Sequence, residues 1–269
     1  MDDPVTVTGT SGLVGAAVAA ALDGAGWTVR GVDRVPGRWT DVVGDLRDPA
    51  VRDQVSGVVV HAAALHAPHV GRVADREFRR VNVEATAALL PAASRFVFIS
   101  STSVYGHALV PADRAVWVDE LLTPRPRDVY DETKLAAEQL VADSGTDAIT
   151  LRIARCFPEP PQVLATHLLH RAVRLPDVAD AVVRAIRLPD VTGVFNIAGR
   201  YPFTRDDCPA LHRDAAALIT ERLPDVARHF RERGWPLPGT IDRVYDSSAA
   251  EEALGYRPST GWKSSGAAA

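Results

Sequence analysis

The stretch that most restricts this chain is "TGTSGLVG", residues 8–15. It follows a short Val/Thr run, "VTVTG" (5–9), and opens an Ala/Val/Leu-rich segment of helical character, "LVGAAVAAALDGAG". A strand that ends in glycines and turns straight into a helix serves few purposes. Gly9 permits the tight turn, Gly12 lets the backbone approach a pyrophosphate, and Gly15 lets helix and strand pack closely. The helix N-terminus then offers unpaired N–H groups and a partial positive charge to an anion. "WTVRGVD" (27–33) reads as the next strand and ends on Asp33, where a carboxylate can accept hydrogen bonds from adenosine ribose hydroxyls. Asp33 would repel a 2′-phosphate, which favours NAD over NADP, although Arg34 and Arg38 just beyond could neutralise one. Asp45 in "GDLRD" (44–48) could meet the adenine amino group.

The same rhythm continues along the chain. "GVVVHAA" (57–63), "RFVFISS" (95–101), "AITLRIA" (148–154) and "GVFNIAG" (193–199) are Val- and Ile-rich runs. Helical stretches separate them at about 75–93, from about 128 and near 177–188. Apolar strands alternating with helices argue for a parallel sheet covered on both faces. Crossover handedness then makes a doubly wound α/β sheet the simplest topology. Two regions leave the rhythm: the proline-rich "CFPEPPQVLATHLLHRAVRLP" (156–176) and the mostly helical segment from about Tyr201. The expected organisation is a dinucleotide-binding Rossmann domain of residues 1–155 plus about 177–199. A small, mostly C-terminal substrate lobe takes about 156–176 plus 200–262, and 263–269 is an unstructured tail.

Composition narrows the function classes. Apolar residues make up 46% and charged residues 24%, with a formal net charge of −4, and no apolar run approaches the length of a bilayer span. The acidic start "MDDPVTVTGT" enters a strand directly, unlike a secretory signal. Cys156 and Cys208 make neither a disulfide framework nor a metal spacing, so a reduced, cytoplasmic setting is expected. Arginines are dispersed and the balance is slightly acidic, which leaves no electrostatic footprint for nucleic acid. "HAAALHAPH" brings His61, His66 and His69 close in sequence without the acidic or thiol companions that metal ligation favours. No metal is expected there; His66 or His69, in a loop beside the cofactor turn, is a candidate substrate contact.

"DVYDETKLAAEQL" (128–140) reads as a helix with Tyr130 on one turn and Lys134 on the next, stacked on one face. By itself this pair is equally at home on a surface helix. Its meaning comes from what surrounds it. From the N-terminus to about residue 200 the chain resembles the extended short-chain dehydrogenase/reductase family, the NAD-dependent epimerase/dehydratase group. The matching pieces, in order, are "TGTSGLVG", Asp33, "GDLRD", "HAAA" (61–64), "VNVEAT" (81–86), "FISSTSVYG" (98–106) and "YDETK" (130–134).

The resemblance implies an NAD(P)-dependent enzyme with Ser101, Tyr130 and Lys134 as its catalytic set. Hydride leaves a carbinol carbon only if the hydroxyl proton is removed in step, so a base is required. A tyrosine, with a reference pKa of about 10, serves at neutral pH only when a nearby cation stabilises the phenolate. Lys134 would supply that charge and hold the nicotinamide ribose, and Ser101 would hydrogen-bond the reacting oxygen. The implied cofactor wall takes Ser11, Leu13 and Val14 with the three glycines, and Thr8 beside them. It continues through Asp33, Arg34, Asp45 and Leu46, then Ala62, Ala63 and Ala64. Asn82 matches a helix asparagine of structural or water-holding character. Asp180 is either functional or an acid at a helix start, and Asp119 and Glu120 read as a solvated loop that could reach sugar hydroxyls. The family also implies a homodimer through the helices near 75–93 and 129–143.

The chain departs from the sugar-nucleotide epimerases after "ITLRIA". Arg155 stands where those enzymes carry an asparagine, and "CFPEP" is closer to the uronate dehydrogenase branch. An arginine suits a carboxylate or phosphate. The C-terminal "IDRVYDSSAAEEALGYRP" is similar to the epimerase ending, with Arg243 the nearest candidate to grip a nucleotide diphosphate. His66, Ser103, Arg155 and Arg243 are therefore the candidate substrate residues. The expected activity is hydride chemistry on a secondary alcohol of a sugar or nucleotide sugar. A uronate-type sugar-acid dehydrogenase and a non-catalytic dinucleotide-binding sensor or scaffold are the alternatives.

Overall fold

The computed structural model describes residues 4–259, so the tail at 263–269 and the end of the expected lobe lie outside the described residues. The chain begins β1 (Val5–Thr8), α1 (Leu13–Gly24), β2 (Val29–Asp33), β3 (Val42–Val43), α2 (Pro49–Arg52) and β4 (Gly57–His61). It continues α3 (Asp75–Arg79), α4 (Ala85–Leu89), β5 (Ala93–Ser101), β6 (Val116–Val118), α5 (Val129–Asp143) and β7 (Ala148–Ile153). The remainder is α6 (Pro161–His167), α7 (Leu175–Arg187), β8 (Gly193–Ile197), α8 (Cys208–Arg222), α9 (Pro224–Glu232), β9 (Arg243–Tyr245) and α10 (Ser248–Leu254).

Seven parallel strands form the central sheet in the order β3-β2-β1-β4-β5-β7-β8. This is a doubly wound Rossmann sheet. The chain steps outward one way from β1 and then resumes on its other side at β4, and ligands of such sheets sit beyond the strand ends at that switch. Strand alternation feeds two cores. In β5, Phe96 and Phe98 face Leu89, Ala137 and Val141, whereas Val97 and Ile99 face the cluster holding Val18, Leu22 and Val182. Small residues let α1 lie close to the sheet, and α7 packs alongside it with Val178, Ala181, Val182 and Ala185 buried.

Two details show how local chemistry sets element ends. The guanidinium of Arg95, 4% exposed, donates to the carbonyls of Ala185, Leu188, Pro189 and Val191 and pairs with Asp147. It serves the Ala185 carbonyl at the end of α7 and the carbonyls of the turn that follows. The stretch expected as one helix over about 75–93 is helical but not uniform. A π-helical turn, Arg80–Glu84, separates α3 from α4, and a 3-10 turn, Leu90–Ala92, leads into β5. Such π turns often mark a side chain with a task, and here Asn82 sits within it.

Away from the sheet, β6 and β9 pair in parallel as a separate two-stranded ribbon. A third apolar cluster, with Phe203, Leu211, Ile219, Phe230 and Val244, joins this ribbon to α8 and α9. Strand β9 lies within the segment expected to be mostly helical, and the ribbon forms one side of the cavity described next.

Candidate active site

A cavity of about 830 Å³ runs from the glycine turn to Arg243 and Tyr245 of β9. At one end Gly9 has φ +79°, and a Cβ there would stand 2.7 Å from the Ala63 nitrogen; a Cβ at Gly15 would stand 2.1 Å from the Gly9 oxygen. Only glycine fits both places. Helix α1 starts at Gly12 with no side-chain cap and no acid in its first turn. Its N–H groups therefore remain available to an anion, and the turn fits a dinucleotide pyrophosphate. Asp33 accepts from the Ser11 N–H at 3.0 Å and the Val35 N–H at 3.0 Å, which fixes the carboxylate where a ribose would lie. Arg34 also borders the cavity. Arg38 does not; its guanidinium lies over the Trp39 ring.

Apart from Thr8 and Arg38, the residues proposed for the cofactor, the chemistry and the substrate line this one cavity: Gly9, Ser11 to Gly15, Asp33, Arg34, Asp45, Leu46 and Ala62 to Ala64, then His66, His69, Ser101, Ser103, Tyr130, Lys134, Arg155 and Arg243. Several carry duties that the sequence does not reveal. Asp45 is held by Arg47 through two hydrogen bonds of 2.9 and 2.7 Å, and those bonds keep its carboxyl below the usual range. Thr8 does not line the turn; it supports the turn from beneath. Its hydroxyl meets His61 Nδ1 at 2.7 Å and accepts from the Ala63 N–H. Thr86 gives its proton to the Asn82 carbonyl, so His61 Nε2 must donate to Thr86 and Nδ1 must accept from Thr8. Burial, reinforced by Lys134, pulls His61 down to about 3 and keeps it neutral.

Asn82 clamps the loop after β4. Its Oδ1 accepts from the Leu65 N–H at 2.8 Å, and its Nδ2 donates to the Leu65 carbonyl at 2.9 Å and to Thr133 at 3.1 Å. The π turn thus spends its irregularity on aiming one amide at the loop that borders the cofactor side.

The catalytic candidates share the wall of the cavity. Helix α5 is capped by Asp128, which accepts from the Asp131 N–H at 3.0 Å, so Tyr130 falls on its first turn. Ser101 ends β5, and its Oγ accepts from the Ser103 N–H at 3.1 Å. Burial pushes the Tyr130 phenol up to about 12, against the nearby hydroxyls of Ser101 and, less strongly, Ser103. Ser103 Oγ is itself buried and makes no bond of hydrogen-bonding geometry among the described residues. Lys134, 3% exposed, donates to the Ile99 carbonyl and lies 4.0 Å from the centre of the Phe98 ring. Burial brings its ammonium down to about 7, partly offset by Glu138.

Glu138 belongs to a buried network. Arg152 forks onto it, Ser100 Oγ donates to it at 2.5 Å, and Arg152 also reaches the Tyr105 hydroxyl, which donates to Asn196. With each charge paired, the cluster ties α5 to β5, β7 and β8. Glu120 joins this interior instead of a solvated loop, whereas Asp119 contributes only its carbonyl, which accepts from the Tyr105 hydroxyl. Glu120 accepts from the Asn196 N–H at 2.6 Å and Asp119 pairs with Arg205. Asp180 lies in the second turn of α7 and pairs with Arg184; Asp177 is the acid of the first turn. Arg47, Leu65, Arg127, Cys156, Phe157, Arg171 and Tyr245 also line the cavity, and no sequence signal singles them out.

The sequence pattern of the NAD dependent epimerase/dehydratase family matches residues 5–175, more than half of the chain. The chain belongs to that family. A GDP-6-deoxy-D-mannose reductase from Pseudomonas aeruginosa is 34% identical, the match covering 98% of this chain and 92% of that enzyme. A 3-beta-hydroxysteroid dehydrogenase from Mycolicibacterium neoaurum is 36% identical over 51% of this chain, which spans only 42% of that relative's length. A crystal structure of a short-chain dehydrogenase/reductase superfamily protein from Agrobacterium tumefaciens with bound NAD superposes with a TM-score of 0.71 at 25% identity, covering 96% of this chain and 93% of that one. Membership places this chain among the extended short-chain dehydrogenases/reductases, a family of NAD-dependent enzymes. Among the described residues no helix is long and apolar enough to cross a membrane.

Proposed function

We propose that this chain is an NAD-dependent oxidoreductase or epimerase acting on a secondary alcohol of a sugar or nucleotide sugar. The observation that carries the reading is the presence of Ser101, Tyr130 and Lys134 on one cavity wall that begins at an uncapped, glycine-lined helix N-terminus. The glycine turn and α1 would hold the pyrophosphate and Asp33 the adenosine ribose, with Lys134 under the nicotinamide ribose. Asp33 favours NAD over NADP. NAD, when bound, supplies the hydride acceptor and a positive charge beside the phenol.

This chain's own residues handle the proton. In the free protein the phenol is neutral, because burial holds it near 12. A cation brought beside it lowers that value and lets Tyr130 take the hydroxyl proton of the substrate. Ser101, its Oγ fixed by the Ser103 N–H, orients the same oxygen. Ser103, whose hydroxyl also lies beside the phenol, borders the space where the sugar would lie. A carbonyl formed at that carbon either leaves as product or receives hydride on its other face, the difference between dehydrogenase and epimerase.

The named function of the GDP-6-deoxy-D-mannose reductase supports a nucleotide-sugar substrate. A uronate-type sugar acid is the second reading, favoured by Arg155, Arg171 and Arg243 on the cavity wall. A non-catalytic sensor or scaffold would need no such catalytic set. In the proposal, residues 156–176 and 200 onward serve the substrate, the working unit is a cytoplasmic homodimer, and α3 to α5 form its contact. Incubation with NAD and a panel of nucleotide sugars and sugar acids tests it. Net NADH release means dehydrogenase, and isomer exchange without release means epimerase. Tyr130→Phe is expected to lower turnover by about 10²–10⁴-fold while NADH affinity stays within about threefold. Wild-type inactivity on the whole panel, or full activity in that variant, rejects the reading.

A further inference from the structure

One cluster behind the cavity wall is not used by the chemistry above. Glu159, whose side chain is 6% exposed, lies in the proline-rich stretch after β7. Its Oε1 accepts from Arg155 Nε at 2.6 Å and its Oε2 meets His167 Nδ1 at 2.6 Å. The other ring nitrogen of His167, Nε2, faces an Nη of Arg171. A guanidinium can only donate, so Nε2 carries the lone pair and Nδ1 carries the proton given to Glu159. Burial opposes the charge on Glu159, yet its bonds to His167 and Arg155 outweigh that and hold it below the usual carboxyl range. Burial, with Arg171 and Arg155 nearby, holds His167 below its ordinary value despite Glu159. A charged carboxylate, a neutral imidazole and a guanidinium thus stand in series.

The arginines at the end of that series face the cavity. Arg155, Arg171 and Arg243 all line it, and neither Glu159 nor His167 does. Asp242 is committed to Arg243 through Nε at 3.0 Å. His170, its ring 6.1 Å from that of His167, is buried, neutral and bonded to the Arg243 carbonyl. Three guanidiniums therefore stand against two carboxylates, and one positive charge remains uncompensated at the cavity wall. Arg171 Nε is buried with no partner among the described residues.

We propose that Glu159 and His167 are positioning residues which aim Arg155 and Arg171 into the cavity as a seat for an acidic group of the substrate. The inference rests on the reading of this cavity as a substrate site. Glu159 holds Arg155 directly and Arg171 through the imidazole, so a single buried carboxylate sets the direction of two guanidiniums. Aimed in advance, the pair loses less freedom when it meets an anion. A phosphate and a carboxylate share the chemistry that such a seat recognises.

Calorimetric titration of the full chain, already saturated with NADH so that the glycine turn is occupied, tests this with pyrophosphate and with glucuronate; glucose is the neutral control. At least one anion is expected to bind, and which one identifies the acidic group. Arg171→Met is expected to weaken that binding about tenfold or more, and His167→Leu by a similar factor. His167→Gln, which keeps a donor and an acceptor, is expected to recover most of the loss. In the Arg171→Met background, His167→Leu should add little, because the imidazole acts through Arg171. NADH affinity, measured in each variant, reports an intact fold. Anion binding in the wild type that neither substitution weakens overturns the proposal, as does equal binding of glucose or no binding of either anion. Failure to bind NADH at all would instead refute the dinucleotide reading.

Discussion

The Lys134 ammonium donates to the Ile99 carbonyl across 2.7 Å, joining the helix that carries the phenol to the strand that ends in Ser101. One buried cation thereby sets the spacing of the two groups proposed to hold the reacting oxygen. The bond comes with a penalty, since burial brings Lys134 down to about 7 from an ordinary value of 10.5. Between those values the unfolded chain binds more protons than the folded one, so stability attributable to this group rises with pH. Urea unfolding at pH 7 and pH 9 should show a gain in the wild type that exceeds that of Lys134→Met by about 2 kcal/mol. Identical slopes would mean that Lys134 is not desolvated as described. The same variant should lose most of its turnover.

His61 gives a slope of the same sign at acid pH. Its folded value is about 3, set by burial first and Lys134 second, against 6.5 ordinarily. The unfolded chain takes up the proton first as pH falls below 6.5, so the contribution of this group to stability is lost from there downward. At pH 5 the loss from His61 is about 2 kcal/mol. His61→Gln retains a donor and an acceptor, and its denaturation midpoint should fall less between pH 7 and pH 5 than that of the wild type.

Gly15→Ala places a methyl group 2.1 Å from the Gly9 carbonyl oxygen, which is backbone and cannot swing aside. The turn must open, moving the α1 N-terminus from the position proposed for the pyrophosphate. NADH affinity, followed by fluorescence, should fall more than about tenfold, with a lower melting temperature. An unchanged dissociation constant would place the dinucleotide elsewhere.

Asn82→Ala removes three hydrogen bonds at once and leaves Leu65 N–H and C=O without their partner. Each buried polar group left unpaired costs about 1–3 kcal/mol. The expected outcome is a loss of roughly 2–4 kcal/mol in chemical denaturation and a raised KM for NAD, because Leu65 lines the cofactor side of the cavity. Stability falling without any change in KM would make Asn82 a purely structural clamp.

The sheet and the cofactor wall were legible because their signals are local. Val/Ile runs, a glycine turn and an acid at a strand end each act over a few residues, so β1, β2, β4, β5, β7 and β8 fall where the pattern places them. What stayed hidden depends on partners far along the chain. Glu120 looks like a loop acid until Asn196 is brought to it, 76 residues on. The π turn around Asn82 has no composition of its own, and its meaning lies in Leu65. Arg171 gives no sequence signal for the cavity, because its aim depends on a histidine and a glutamate held by a proline-rich stretch. Similarly, nothing in "RVY" marks a strand until Val116–Val118 lies beside it.

That small ribbon has a consequence for how the molecule comes into being. Its two strands are about 125 residues apart, and the later one is synthesised after every strand of the central sheet. A growing polypeptide can therefore shape the nucleotide crevice well before the opposite bank of the cavity exists. During synthesis the half-built protein would be able to grip a dinucleotide while still lacking the walls needed to choose what it oxidises.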